Sequence, residues 1–167
     1  MALIAVVQGP LQRVRGATVF EVLRSPVPAD VVVVSPGESD LLFVAGTATQ
    51  RAYQVDTVFH WDDGIAPRVT RLAFVAALPG ASFRERYTAH AAIARVQHPA
   101  ICRYVQHFVQ HGTEPACAAI SELHFADETS MRERFYRDEN SAAVVDADIS
   151  DYLDRKRTWS MLTRLVI

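Results

Sequence analysis

Residues 68–110 read RVTRLAFVAALPGASFRERYTAHAAIARVQHPAICRYVQHFVQ. The opening RVTRLAFVAAL is apolar and β-branched enough for a strand, and Pro79-Gly80 ends it as a turn. Ser82-Phe-Arg-Glu85 has the spacing of a capping box, so a helix starts there. Along that helix Phe83, Tyr87, His90, Ala91 and Ala94 recur at helical spacing, and Pro99 closes it. AICRYVQHFVQ then returns to strand.

Working outward from this strand–helix–strand unit, CAAISELHFA is a further strand beyond the turn His111-Gly-Thr-Glu-Pro115, so the two form a hairpin. Ser130-Met-Arg-Glu133 has capping-box spacing and predicts a helix over MRERFYRD. A helical stretch, SAAVVDADISDYLD, and a last strand, TWSMLTRLVI, complete the run. Strand, helix, strand, strand, helix, strand is the ferredoxin-like split βαβ plan: an α+β fold whose antiparallel sheet carries helices on one face. The bare face needs a cover, and a second such sheet supplies one, from a second chain or from the other half of this one, giving the dimeric α+β-barrel plan.

Upstream, ALIAVV, the two apolar runs of ADVVVVSPGESDLLFVAG around a Pro-Gly turn, and AYQVDTVFHW read as strands, while VRGATVFEVLRS suits either helix or strand. The loop DDGIAP, residues 62–67, is the boundary. Residues 1–64 are thus a strand-rich half, a shortened ferredoxin-like unit, and residues 65–167 a complete one.

Half of the 167 residues are hydrophobic and 22% are charged, the balance of a chain able to bury a core. A formal net charge of -2 gives no basic footprint for nucleic acid and no polybasic anchor for a membrane. Cys102 and Cys117 lie in apolar runs and are expected to be buried and reduced, as in an intracellular protein. The start MALIAVVQGPLQR is apolar over only about five residues and lacks the basic region of a signal peptide. No apolar run approaches the ~18 residues of a transmembrane helix. These features predict a soluble, cytoplasmic protein.

Four segments carry a resemblance: FRERYTAHAAIAR, CRYVQHFV, ISELHFADETSMRERFY and AVVDADISDYLD. In order and spacing they resemble the EthD-like group of the dimeric α+β-barrel superfamily. They correspond to its helix with an inward histidine, its Tyr-containing second strand, its Glu-Leu-x-Phe third strand and its late Asp-x-x-x-aromatic-x-Asp run. The resemblance covers residues 68–167. It implies the barrel, a homodimer and a small-molecule ligand, since relatives are associated with degradation of organic compounds and polyketide-type ring chemistry. In one departure, His107-Phe108 stands where relatives commonly carry Asn-His. A shift of one residue places the imidazole on the opposite sheet face.

Four of the six histidines lie between residues 90 and 111. His90 and His98 are about 12 Å apart along a helix, and His107 and His111 about 13 Å along a strand, so neither pair shares a metal. No Cys-x-x-Cys or His-Glu-x-x-His accompanies them, and no metal is expected. His98 and His111 read as solvated groups at a helix end and a turn. His90, on the stripe with Tyr87, points toward the sheet, where a neutral imidazole can act as a general base near pH 7. A core histidine tied to a backbone carbonyl is the plainer alternative.

Alternation along CAAISELHFA puts Ala118, Ile120, Glu122 and His124 on one face and Ala119, Ser121, Leu123 and Phe125 on the helix-covered one. Glu122 and His124 therefore enter the space between the sheets, as site residues or as a structural pair. Tyr87, Tyr104, His107 and Trp159 are the candidate substrate-binding residues. Asp148, Tyr152 and Asp154 read as packing and surface charge. No dinucleotide fingerprint, P-loop or nucleophile elbow occurs, so no cofactor is expected. The function expected is cofactor-independent proton transfer on an apolar or phenolic compound. His90 would be the base, Glu122 or His124 would orient it, and the walls would be Tyr87, Tyr104 and Trp159. A non-catalytic ligand-binding or accessory protein and a haem-binding barrel are the alternatives.

Overall fold

The computed structural model describes residues 2–8, 17–27, 29, 31–35, 48–80, 82–112 and 116–166. Its elements are β1 (Ala2–Gln8), β2 (Thr18–Arg24), β3 (Val31–Ser35), β4 (Ala48–Asp62), β5 (Val69–Ala77), α1 (Phe83–Gln97), β6 (Ile101–Gly112), β7 (Ala119–Phe125), α2 (Glu128–Glu133), α3 (Ser141–Ile149) and β8 (Leu153–Val166). The ambiguous segment VRGATVFEVLRS supplies a strand, β2, in keeping with its β-branched content. The expected run LLFVAG, its Pro-Gly turn, and the tip of the β6–β7 turn lie outside the described residues.

The strands close into one antiparallel barrel in the order β1-β3-β2-β8-β5-β7-β6-β4, with β4 paired back to β1. In chain order, β1–β4 and β5–β8 each lie as fourth, first, third, second, and the two sets meet at β2–β8 and β4–β6. The face of the β5–β8 sheet that had to be covered is covered by strands of the same chain. Closure also removes exposed sheet edges.

One end of the barrel is filled by Ile4, Val6, Phe20, Val32, Tyr53, Val55, Leu72, Phe74, Ile120 and Met161, which form a single buried cluster. Trp159 packs against it, stacked on Phe74 with ring centroids 3.9 Å apart. The helices lie against the outer face of β5–β8. Phe83, Tyr87, His90, Ala91, Ala94 and Gln97 are the buried face of α1, the stripe that the helical spacing predicts. Gly64 (φ 73°) and Gly80 (φ 77°) take up the left-handed backbone in the two turns before β5 and α1, where a Cβ would be strained.

Two helix starts differ from expectation. Ser82 is the N-cap of α1 but makes no side-chain capping bond. In α2 the cap is Asp127, whose carboxylate accepts from the Ser130 amide at 2.6 Å. Ser130 is inside the helix, where its own N–H needs a cap. The helix runs over Glu128–Glu133 and not over MRERFYRD, because Asp127 competes as an equally good cap three residues earlier. Tyr152 and Asp154 likewise fall outside α3, in a turn and on β8.

Candidate active site

Two histidine–carboxylate clusters lie on opposite faces of the β5–β8 sheet. Alternation along β7 separates them: Ser121 and Leu123 face the helices, Glu122 and His124 the barrel interior. On β6, Arg103, Val105 and His107 face inward, while Tyr104 and Phe108 pack with the helices.

Inside the barrel, Glu122 bridges two imidazoles. Its Oε1 accepts from His107 Nε2 at 2.7 Å and its Oε2 from His124 Nε2 at 2.9 Å. Each ring's Nδ1 meets a threonine on the directly opposed strand position: Thr57 Oγ1 at 2.9 Å and Thr70 Oγ1 at 2.8 Å. The chain Thr57–His107–Glu122–His124–Thr70 thus ties β4, β6, β7 and β5 together, with every nitrogen and oxygen of the two rings and the carboxylate engaged. Burial pushes the Glu122 carboxyl up, but hydrogen bonds from His107 and His124 and their charge outweigh it and hold it at about 2. The cluster borders a cavity of about 450 Å³, walled also by Ala2, Val34, Phe59, Val105 and Leu165. Among the described residues no group of three His, Cys, Asp or Glu side chains is disposed to hold a metal ion.

The other cluster lies between helices and sheet. His90 is 8% exposed, and its Nδ1 lies 2.7 Å from Asp148 Oδ2 on α3. Tyr152 Oη donates to the same oxygen at 2.9 Å. Among the described residues nothing hydrogen-bonds His90 Nε2. The ring lines a cavity of about 350 Å³, together with Tyr87, Tyr104, Leu123, Ala94 and Val145. Tyr87 stacks on His90 with centroids 5.7 Å apart and shares a 2.8 Å hydrogen bond with Ser121. Tyr104 Oη accepts from Gln106 Nε2 at 2.8 Å, and Gln106 Oε1 lies 2.9 Å from His60 Nε2. Burial raises the pKa of both tyrosines, Tyr87 well above the ordinary phenol, so both are neutral donors near pH 7.

Several expectations are corrected by this geometry. Glu122 and His124 cannot orient His90, because the sheet lies between them; the carboxylate that does so is Asp148. Trp159 does not wall the same space as Tyr87 and Tyr104, since it stacks inside the barrel. His107 faces the barrel with Glu122 and not the helix–sheet cavity. His98 is buried rather than solvated: its Nδ1 contacts the Phe135 carbonyl at 3.0 Å, and its ring packs on Phe135 and Tyr136. Asp148 carried a sequence signal, the Asp-x-x-x-Tyr-x-Asp run, but helical spacing alone made it a surface group. His60 and its contact with Gln106 and Tyr104 had no sequence signal.

No helix among the described residues is long and apolar enough to cross a membrane. No family model matches the chain, and no curated protein matches it. Among solved structures, an anthrone oxidase-like protein known from a crystal structure study is similar at a TM-score of 0.58 and 13% identity, over 99% of this chain and 90% of that one. At that identity the likeness speaks for the fold: the chain is an α+β barrel of the kind seen in that protein.

Proposed function

We propose that the chain is a small-molecule enzyme of EthD-like kind that moves a proton on an apolar or phenolic compound without a cofactor, in the helix–sheet cavity. The observation that carries this reading is the 2.7 Å contact between His90 Nδ1 and Asp148, with Nε2 left open. A carboxylate on Nδ1 fixes the tautomer that presents a lone pair at Nε2, and it stabilises the imidazolium once a proton is taken. Tyr87 and Tyr104, held neutral, are hydrogen-bond donors for oxygen charge that develops on the substrate. Asp148 therefore takes the orienting role expected of Glu122 or His124, and these two, with His107, serve the barrel as a structural network.

The similar structure's description as anthrone oxidase-like suggests a probe. Anthrone carries an acidic methylene conjugated to a ketone, and its loss of a proton precedes tautomerisation or reaction with oxygen. Deuterium uptake at that methylene, followed by NMR above the buffer rate, is expected for the unchanged protein. It should fall by about 100-fold or more in His90→Gln, the usual contribution of a general base. A drop of less than about tenfold would remove His90 from the role. Binding of anthrone with no exchange above buffer would instead favour a non-catalytic ligand carrier using the same cavity.

A further inference from the structure

The cavity that holds His90 opens past Arg71. Arg71, Phe135 and Tyr136 line both this cavity and an adjoining open groove of about 600 Å³. Arg71 Nε donates to Ser160 Oγ at 3.1 Å, and the guanidinium lies over the Phe135 ring, 5.7 Å from its centroid. These contacts fix the plane of the group and commit only Nε. Among the described residues Arg71 has no carboxylate partner. Arg24 and Arg132 also line the groove, and Arg24 is paired with Glu128. The groove is therefore cationic, while the inner cavity has an apolar wall of Ala94, Leu123 and Val145, and the Arg155 at its edge is already paired with Asp146.

A guanidinium held flat by its Nε and a ring face presents its two terminal nitrogens as a fork that matches a carboxylate. A phosphate would leave oxygens beyond that single fork without donors. We propose that the ligand of this site is an aromatic or otherwise apolar carboxylic acid, its body in the cavity beside His90 and its carboxylate gripped by Arg71. This rests on the helix–sheet cavity being the ligand site. Holding the acid end at Arg71 would also fix which atom of the body faces His90 Nε2, which is how a remote charge sets the position of a reacting group.

The probes are 1-hydroxy-2-naphthoate and 1-naphthol, which differ by the carboxylate alone, titrated calorimetrically into the whole chain. The acid is expected to bind about tenfold tighter or more, the scale of a charge-assisted hydrogen bond. In Arg71→Gln that advantage should vanish while the affinity for 1-naphthol is unchanged, which also reports an intact cavity. Arg71→Lys should restore part of it, having the charge without the fork, and it decides the matter should Arg71→Gln not fold. Equal affinities in the unchanged protein, or an advantage that survives loss of Arg71, overturn the proposal and leave the cavity reading standing. Failure of both compounds to bind the unchanged protein overturns both.

Discussion

Glu122→Gln removes one charge from the barrel interior and little else. The folded carboxyl titrates at about 2 against an ordinary 4.5, because bonds and charge from His107 and His124 exceed the cost of burial. A carboxyl lowered on folding stabilises the folded state above the unfolded value, and the contribution is lost as the pH falls toward the folded one. The gap corresponds to about 3 kcal/mol at ~1.36 kcal/mol per pH unit. Glutamine can accept from one imidazole through its oxygen. Its NH2 must donate to the other, which then carries its proton on Nδ1 and donates to its threonine. The shape of the network survives while the ionic part does not, so most of the ~3 kcal/mol should be lost near neutral pH. Urea unfolding followed by tryptophan fluorescence measures this directly. The difference between the two proteins should shrink steadily as the pH falls below about 4.5. A variant within about 1 kcal/mol of the original at neutral pH, or a difference indifferent to acid, would refute the reasoning.

Asp148→Asn keeps the shape beside His90 but removes the charge that supports its imidazolium. Anthrone exchange should fall by about 10- to 100-fold, as for loss of a hydrogen bond to a charged group, with ligand affinity little changed; comparison of kcat with KM checks it. Phe74, fully buried and stacked on Trp159, should cost about 3–5 kcal/mol when cut to alanine. A cost below about 1 kcal/mol in urea unfolding would mean that the barrel interior is not packed at that layer. A histidine with a carboxylate on Nδ1 and an open Nε2 is also how metal-binding imidazoles are held. The purified protein should nevertheless be colourless, and a Soret band in its absorption spectrum that is lost in His90→Gln would make His90 an iron ligand and end the general-base reading.

The second half of the fold was legible because each of its elements satisfies two patterns at once. In α1 the periodic face coincides with a terminating Pro99, and in β7 the alternation that puts Ser121 and Glu122 on opposite faces is the one observed. Closure within one chain was legible only as one of two alternatives, since β1–β4 repeat the strand order of β5–β8 without any repeat of residues. Asp127 was missed as a cap because two cap spacings overlap there, and local sequence does not say which wins. The site was half legible. His90 stood out by its place on a buried stripe, but its partner comes from α3, and spacing within one segment carries no information on a contact across 58 residues.

Alternation also explains how one sheet serves both clusters. Consecutive residues of β7 do different work: Ser121 binds Tyr87, Glu122 ties the histidines of β6 and β7 along the inner wall, and Leu123 walls the cavity beside His90. The network on the inner face reaches Thr57 of β4, so strands of the first half brace the sheet on which the helix-side cavity is built. Strands β1–β4 thereby take the place that the sheet of a second chain would have. All three helices lie after residue 82, so among the described residues only the β5–β8 sheet carries a helix-covered cavity of this kind. If the two faces do separate work, Glu122→Gln should lower activity only in proportion to the folded protein it removes. Full stability combined with a lost rate would place Glu122 in the chemistry and undo the separation of the two sites.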